Sequence, residues 1–385
     1  MKTKLALLSV ASLLAMPAVA DIKINGFANL IGGMTLDDDE AVYGYDSDFN
    51  FEPASVFGLQ VRGDVSEKLS ATAQLVGRGS DDYDASFEWA YMTYALSNNS
   101  SISAGRVRLP FFKYSASLDV GYSYHWLTPP DSVYGVLINN MDGVRYDYSN
   151  YAGDWEYGIQ AFAGRGEADE VEAENLTGIS FEATRDWFNI RTIYAQAKFT
   201  SPNEDLDFLT DSINSFSAVV PTVTDFSNNF LVDDDTVGFF ELAVNIDKYD
   251  WFVGAEYTHI SFDEAPIAND DAWYVTAGMR FGKFTPHITY EHKESDPDDV
   301  ATYLNDVPST ISTGDAATDG TWSSLYQGFA AVAASTLEDT SALTAGLRYD
   351  VEPGFAVKGE VTWFEDDAND ANDATLLRVG VNYTF

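Results

Sequence analysis

Segments of about ten residues in which apolar and polar side chains alternate recur along almost all of this 385-residue chain. A period of two gives an extended strand one greasy and one wet face. From Ser55 to Asp64, for example, Phe57, Leu59 and Val61 share one phase, and Gln60, Arg62 and Asp64 share the other. A soluble sandwich would show the same alternation, so the connections have to decide. Short turns fall at Val65–Lys68, Ser97–Ser100, Asn150–Asp154, Arg185–Asp186, Asp247–Asp250, near Gly282 and Lys283, and at Val351–Gly354. Longer polar segments lie between them, at Leu36–Pro53, Gly79–Ala85, Arg108–Met141, Arg165–Asn175, Thr200–Asp235, Asp263–Asp270, Glu294–Asp339 and Asp366–Asp373. Short turns at one end and long loops at the other are what a transmembrane barrel requires. The pattern predicts an all-β fold, a transmembrane antiparallel β-barrel of about 16 strands running from Asp21–Thr35 to Ala374–Phe385. An even count puts both termini on the short-turn, periplasmic side.

Residues 1–20 read as a signal peptide. Lys2 and Lys4 precede an apolar run from Leu5 to Met16, and Ala18-Val19-Ala20 forms an A-x-A cleavage site. The run is too short to stay in a membrane as a helix, and nothing after Asp21 approaches the ~20 consecutive apolar residues that a spanning helix needs. Residues 21–385 are therefore expected to form one barrel domain, exported to the outer membrane of a Gram-negative cell. A net charge of −40 repels phosphate backbones and argues against nucleic acid as a partner. The chain has no cysteine, which removes disulfides, zinc-thiolate sites and cysteine catalysis. Its 25 Phe, 22 Tyr and 8 Trp suit the aromatic girdles of a membrane barrel.

If the apolar phase faces lipid, the other phase faces a water-filled lumen, and charge there is the functional signal. Arg62, Arg78, Arg145, Arg191, Arg280, Arg348 and Arg378 fall on that inner phase, with Glu88, Glu156, Glu182, Glu241, Glu256, Lys358 and Glu360. A basic side chain facing lipid at mid-depth costs roughly 2–4 kcal/mol, so the phasing is selected. Most of these charges are expected to hydrate the lumen and pair with one another, while a minority line its narrowest point. Arg62 and Arg78, on neighbouring strands, are the first candidates for a basic wall. Arg108 and Arg145 join them. The acidic clusters Asp37-Asp38-Asp39-Glu40, Asp233-Asp234-Asp235 and Asp298-Asp299 fall in outer loops, as solvated surface or as divalent-cation sites between surface sugars or subunits.

The loop after the fifth strand differs from the others in being long, aromatic and only lightly acidic. It carries Arg106, Arg108, Phe111, Phe112, Lys113, Asp119, Tyr122 and Asp131. Apolar surface of this kind is best buried against the inside of the barrel wall, where the loop narrows the channel. From Gly105 to Tyr134 the chain resembles the third-loop region of Gram-negative general porins, trimers of sixteen-stranded barrels whose third loop folds into the lumen. Within that group it is somewhat like a poorly characterised, phosphate-selective branch, although the loop has fewer acidic residues than is usual. The resemblance implies Arg62, Arg78 and Arg106 on the basic wall, Asp119 and Asp131 as loop carboxylates, and a homotrimer in contact with lipopolysaccharide. Arg106 shares its phase with Ile102 and Ala104, which points it outward to the rim unless a bulge near Gly105 re-aims it. The last strand places Thr375, Leu377, Val379, Val381, Tyr383 and Phe385 on one face, with Leu376, Arg378, Gly380, Asn382 and Thr384 on the other. It resembles the C-terminal strand read by the outer-membrane assembly machinery, which implies Tyr383 and Phe385 as the signal.

The expected function is passive diffusion of ions and small hydrophilic solutes, with no cofactor and no metal. A substrate-specific channel for a sugar or an anion such as phosphate is the alternative; its slide would be Phe111, Phe112, Tyr114, Tyr122, Tyr124 and Trp126. An outer-membrane hydrolase is less favoured. The chain has four histidines, His125, His259, His287 and His292, with no H-E-x-x-H, G-x-S-x-G or phosphate-cradling motif.

Overall fold

The computed structural model describes residues 22–37, 40–168, 171–201, 204–230, 232–263, 267–368 and 372–385. The expected signal peptide and the acidic residues Asp38 and Asp39 lie outside them.

The first eight strands are β1 (Ile22–Thr35), β2 (Val56–Asp64), β3 (Leu69–Arg78), β4 (Ala85–Ala95), β5 (Ser100–Arg108), β6 (Asn140–Ala152), β7 (Trp155–Ala168) and β8 (Val171–Arg185). The second eight are β9 (Phe188–Thr200), β10 (Asp235–Lys248), β11 (Trp251–Phe262), β12 (Asp270–Met279), β13 (Phe284–Ser295), β14 (Asp339–Glu352), β15 (Phe355–Asp366) and β16 (Ala374–Thr384). Each pairs antiparallel with its neighbours in sequence, and β1 pairs with β16, so the sheet closes and leaves no edge. The strand count is the one expected. The seventh and eighth strands run further than expected, through the polar stretch read as a loop from Arg165 to Asn175, because their backbones go on pairing out to Ala168 and Val171.

The outer phase is apolar and uncovered by protein. Phe57, Leu59 and Val61 on β2, Val144 and Tyr146 on β6, Ile179 and Phe181 on β8, and Leu377 and Val379 on β16 are all exposed. A contiguous greasy band of this kind is stable only against lipid. Tyr151, Trp187, Tyr249, Trp251, Phe281 and Phe284 ring the short-turn end, where the Lys248 ammonium lies 4.1 Å from the centre of the Trp187 ring. At the seam, the backbones of Gly26 and Phe385 exchange hydrogen bonds of 2.9 and 3.0 Å. The Phe385 ring covers Gly26, where a Cβ would sit 2.2 Å from it. The Tyr383 and Phe385 rings stack outside the barrel at 5.8 Å.

Two long loops differ from the polar coils expected of them. The loop from β9 to β10 holds helices Glu204–Asn214 and Val223–Phe230, and that from β13 to β14 holds Pro297–Leu304 and Ala316–Ala334. Apolar residues at helical spacing, such as Trp322, Phe329 and Ala333, give the last of these a buried stripe. Asp315 caps it by accepting from the Thr318 amide at 3.2 Å. Ile213, Val220, Val223, Phe226, Val307, Trp322 and Phe329 then form a second core outside the barrel.

A loop-packed lumen and its candidate constriction

The loop of residues 109–139, the third on the long-loop side, enters the barrel at once. Leu109, Phe112, Tyr124, Trp126, Val133 and Tyr134 are buried with the inward residues Phe162, Leu176, Ile193, Ala195, Phe239 and Tyr274 of β7 to β12. Phe111 stacks on Phe239 at 4.5 Å. Each such ring contributes roughly 1.5–3 kcal/mol when taken fully out of water.

Apolar burial alone cannot hold this loop, because it has little secondary structure of its own and its buried backbone groups need partners. It forms only the turns Ser115–Ser117 and Gly121–Ser123 and one helical turn, Asp131–Tyr134. The wall supplies the rest. Lys358 donates to the carbonyls of Gly121 at 2.6 Å, Tyr124 at 2.9 Å and Trp126. Arg348 donates to Tyr122 at 2.8 Å and Tyr124 at 2.7 Å. Arg191 donates to Pro110 and, at 3.1 Å, to Phe111. Wall carboxylates take the amides: Glu360 accepts from Leu127 at 2.7 Å, Glu291 from Ser132 at 2.9 Å, and Glu256 from Lys113 at 3.2 Å. Gly121 fits because a Cβ there would lie 2.3 Å from the Asn382 amide and 2.6 Å from that of Asn29.

The loop divides the lumen. On the short-turn side is a vestibule of about 1320 Å³, lined among others by Gln60, Gln74, Arg145, Asp147 and Glu156, and a smaller cavity of about 510 Å³ beside Arg280 and Arg348. On the long-loop side is a chamber of about 280 Å³, bounded by Tyr43, Tyr45, Asp131, Glu291 and Arg378. Four charges lie between the vestibule and the chamber. Arg78 on β3 donates to Glu88 on β4 at 3.0 Å and to Asp119 of the loop at 2.7 Å. Arg108 reaches Glu88 at 3.1 Å and also pairs with Asp119. Arg78 and Asp119 face the chamber and Arg108 faces the vestibule. Arg78, at 28% exposure, is the one member of the quartet still open to water. Glu88 and its neighbour Trp89 both face inward because β4 bulges there: Gln74 pairs with Trp89 and Leu75 with Phe87, leaving Glu88 unpaired in the ladder.

The other expected site residues are scattered. Arg62 lies beside Asp64 at 3.6 Å near the short-turn mouth, where its strand ends, so it is not at the constriction. Arg106 points outward and grips Asp142 through two hydrogen bonds of 3.0 and 3.2 Å. The register of β4 with β5 runs unbroken past Gly105, so no bulge re-aims Arg106, and it is not part of a basic wall. Arg145 pairs with Asp147 at 3.1 Å in the vestibule. Lys113 is held by Glu182 at 2.6 Å and Asn189 at 2.7 Å. Tyr122 lies under the Arg348 guanidinium at 4.6 Å, and Asp131 lines the chamber rather than the quartet. The aromatic slide is corrected by packing: Phe112, Tyr124 and Trp126 are 2%, 5% and 2% exposed and have no face free for a solute. His125 is packed against Trp126 at 3.9 Å and His287 at 4.7 Å. His259 faces outward with Asp271 at 3.0 Å.

The fold is that of the sixteen-stranded outer-membrane barrels. No protein-family model matches the sequence, and no curated protein matches it. Among solved structures, OmpT of Vibrio cholerae, an outer membrane protein, is similar in a form lacking loop L8, with a TM-score of 0.59 and 14% identity over 96% of this chain and 100% of that one. Its in-vitro folded trimer form gives 0.53 and 14% over 96% and 100%. The outer membrane channel DcaP of Acinetobacter baumannii gives 0.58 and 12% over 96% and 99%. An anion-selective porin from Comamonas acidovorans gives 0.56 and 12% over 95% and 100%.

Proposed function

We propose that the chain is a porin of the Gram-negative outer membrane, a water-filled channel through which ions and small hydrophilic solutes diffuse. The observation that carries this is a lumen with cavities bearing charged and polar side chains on both sides of an inserted loop, with a charged quartet between them. Opposed guanidinium and carboxylate groups across a narrow gap create a transverse field, which favours solutes that can orient in it. Arg78, Glu88, Arg108 and Asp119 are the constriction in this reading, and Arg145 and Lys113 line its approach.

Export with cleavage after Ala20, assembly guided by the exposed Tyr383 and Phe385, a homotrimeric state and contact with lipopolysaccharide belong to the same proposal. The trimer form of the Vibrio cholerae OmpT supports the oligomer. A channel selective for phosphate or another anion has less support, because the arginines expected to form a ring are dispersed and each is matched by an acid.

The test is single-channel recording of the refolded chain in planar bilayers. Arg78→Gln removes the one exposed charge of the quartet and should raise conductance up to about twofold and shift the reversal potential toward cation preference. Arg62→Gln, at the mouth, should shift it less. Unchanged conductance and selectivity in Arg78→Gln would remove the quartet from the constriction, and a silent wild-type protein would end the channel reading.

A further inference from the structure

We infer that the chamber on the long-loop side of the third loop is a binding site for a small organic cation bearing primary ammonium groups. This deepens the channel reading by naming a solute class, and it rests on that reading only for the direction of entry.

The chamber is roofed by the loop after β1 and floored by the third loop. Val42 and Tyr45 exchange backbone hydrogen bonds of 2.9 and 3.0 Å around Tyr43 and Gly44, both at positive φ. That tight turn carries Tyr43 inward, until its hydroxyl is 3.5 Å from Glu291 on the opposite wall. Of the four carboxylates at the chamber, two are neutralised: Asp119 by Arg78 and Arg108, and Glu360 by Arg378 at 3.0 Å. The other two are not. Among the described residues Glu291 has no ion pair, only the Ser132 amide and the Tyr43 hydroxyl. Asp131 makes neither an ion pair nor a side-chain hydrogen bond there, and it opens into the chamber although protein surrounds it.

A carboxylate as buried as Glu291, at 5% exposure with no ion pair among the described residues, is costly, and a cation that enters relieves the cost, with the exposed Asp131 carboxylate as its second contact. An anion has no such opening, because both arginines at the chamber are engaged: Arg378 by Glu360 and by Thr128 at 2.8 Å, Arg78 by Glu88 and Asp119. The chamber is many times the ~30 Å³ share of one water, too roomy for a bare ion and suited to a short alkyl chain. The approach agrees in sign. Outside the third loop, the long-loop connections at 36–55, 79–84, 169–170, 201–234, 263–269, 296–338 and 367–373 contain many acids and not one lysine or arginine. A mouth of that kind concentrates cations before they reach the chamber.

The experiment uses the full-length barrel with 1,4-diaminobutane as probe, and 1,4-butanediol, succinate and calcium chloride as controls. Calorimetry in detergent micelles should show saturable binding of the diamine alone. Asp131→Asn and Glu291→Gln should each weaken it by about tenfold or more, while circular dichroism and gel mobility show an intact barrel. In bilayers the diamine should block current when added from the long-loop side. The site is overturned if the diamine gives no heat, if butanediol or succinate binds equally, if calcium alone binds, or if both variants bind like wild type. A barrel that binds the diamine but conducts nothing would end the channel reading and leave the site standing.

Discussion

The third loop and the helical cap are both long insertions with apolar surface to bury, and they bury it in opposite ways. Inside the barrel, residues 109–139 stay irregular, because Lys358, Arg348, Arg191, Glu256, Glu291 and Glu360 project from the wall to meet their backbone groups. Outside, residues 204–230 and 297–334 have no such wall beside them, so they satisfy their backbones within helices and pack helix on helix around Trp322 and Phe329. Surroundings rich in charged side chains can thus replace secondary structure, and where they are missing the chain must make its own.

The comparison breaks first if the cap is only a decorated coil. Trp322 is fully buried and donates to the Pro308 carbonyl at 2.8 Å. Trp322→Ala should cost the cap about 3–5 kcal/mol, seen as fast hydrogen exchange across residues 316–334 while the barrel amides stay protected. Equal protection in the variant would mean that the helices are not held by this core. A somewhat smaller effect is expected at the latch of the third loop. Lys358→Met leaves the Gly121 and Trp126 carbonyls without their donor, while Tyr124 keeps Arg348, and should lower stability by about 2–4 kcal/mol in urea titrations, with noisier and larger single-channel currents. If stability and current match wild type, the loop is held by its aromatic packing alone.

The barrel was legible because its evidence is periodic and local. The phase of Phe57, Leu59 and Val61 against Gln60 and Arg62, the spacing of the short turns, and the regular last strand ending at Phe385 each pointed to one closed sheet. The quartet was partly legible: Arg78 and Asp119 were named as wall and loop partners, and the geometry joins them. What escaped was whatever depends on three-dimensional context. Strand phase put Glu88 inside but could not show the bulge that sets its neighbour Trp89 facing the same way. The helical spacing of Trp322, Tyr326, Phe329 and Ala333 stands in the sequence but is masked by the polar residues around it. That the aromatic residues of the third loop would be buried, and not line a path, follows from the narrow lumen, which no local pattern encodes.

Arg106 and Arg108 sharpen the comparison at the smallest scale, because they share a strand phase and meet opposite fates. The chain turns into the lumen at Leu109 and carries the Arg108 guanidinium with it, to 5% exposure against Glu88 and Asp119. Arg106, paired with Ala90 on one side and Asp142 on the other, stays outside, where it and Asp142 are each 43% exposed. Its position near the long-loop end of β5 places the pair at headgroup depth, where a charged group meets water and polar lipid. A screened, exposed pair contributes about 0–1 kcal/mol, so Arg106→Ala should change barrel stability by no more than that. The check is urea unfolding of Arg106→Ala in lipid vesicles beside the wild type. A loss of several kcal/mol would mean that the pair sits in hydrocarbon and that the greasy band reaches further toward the long loops than the exposed side chains indicate.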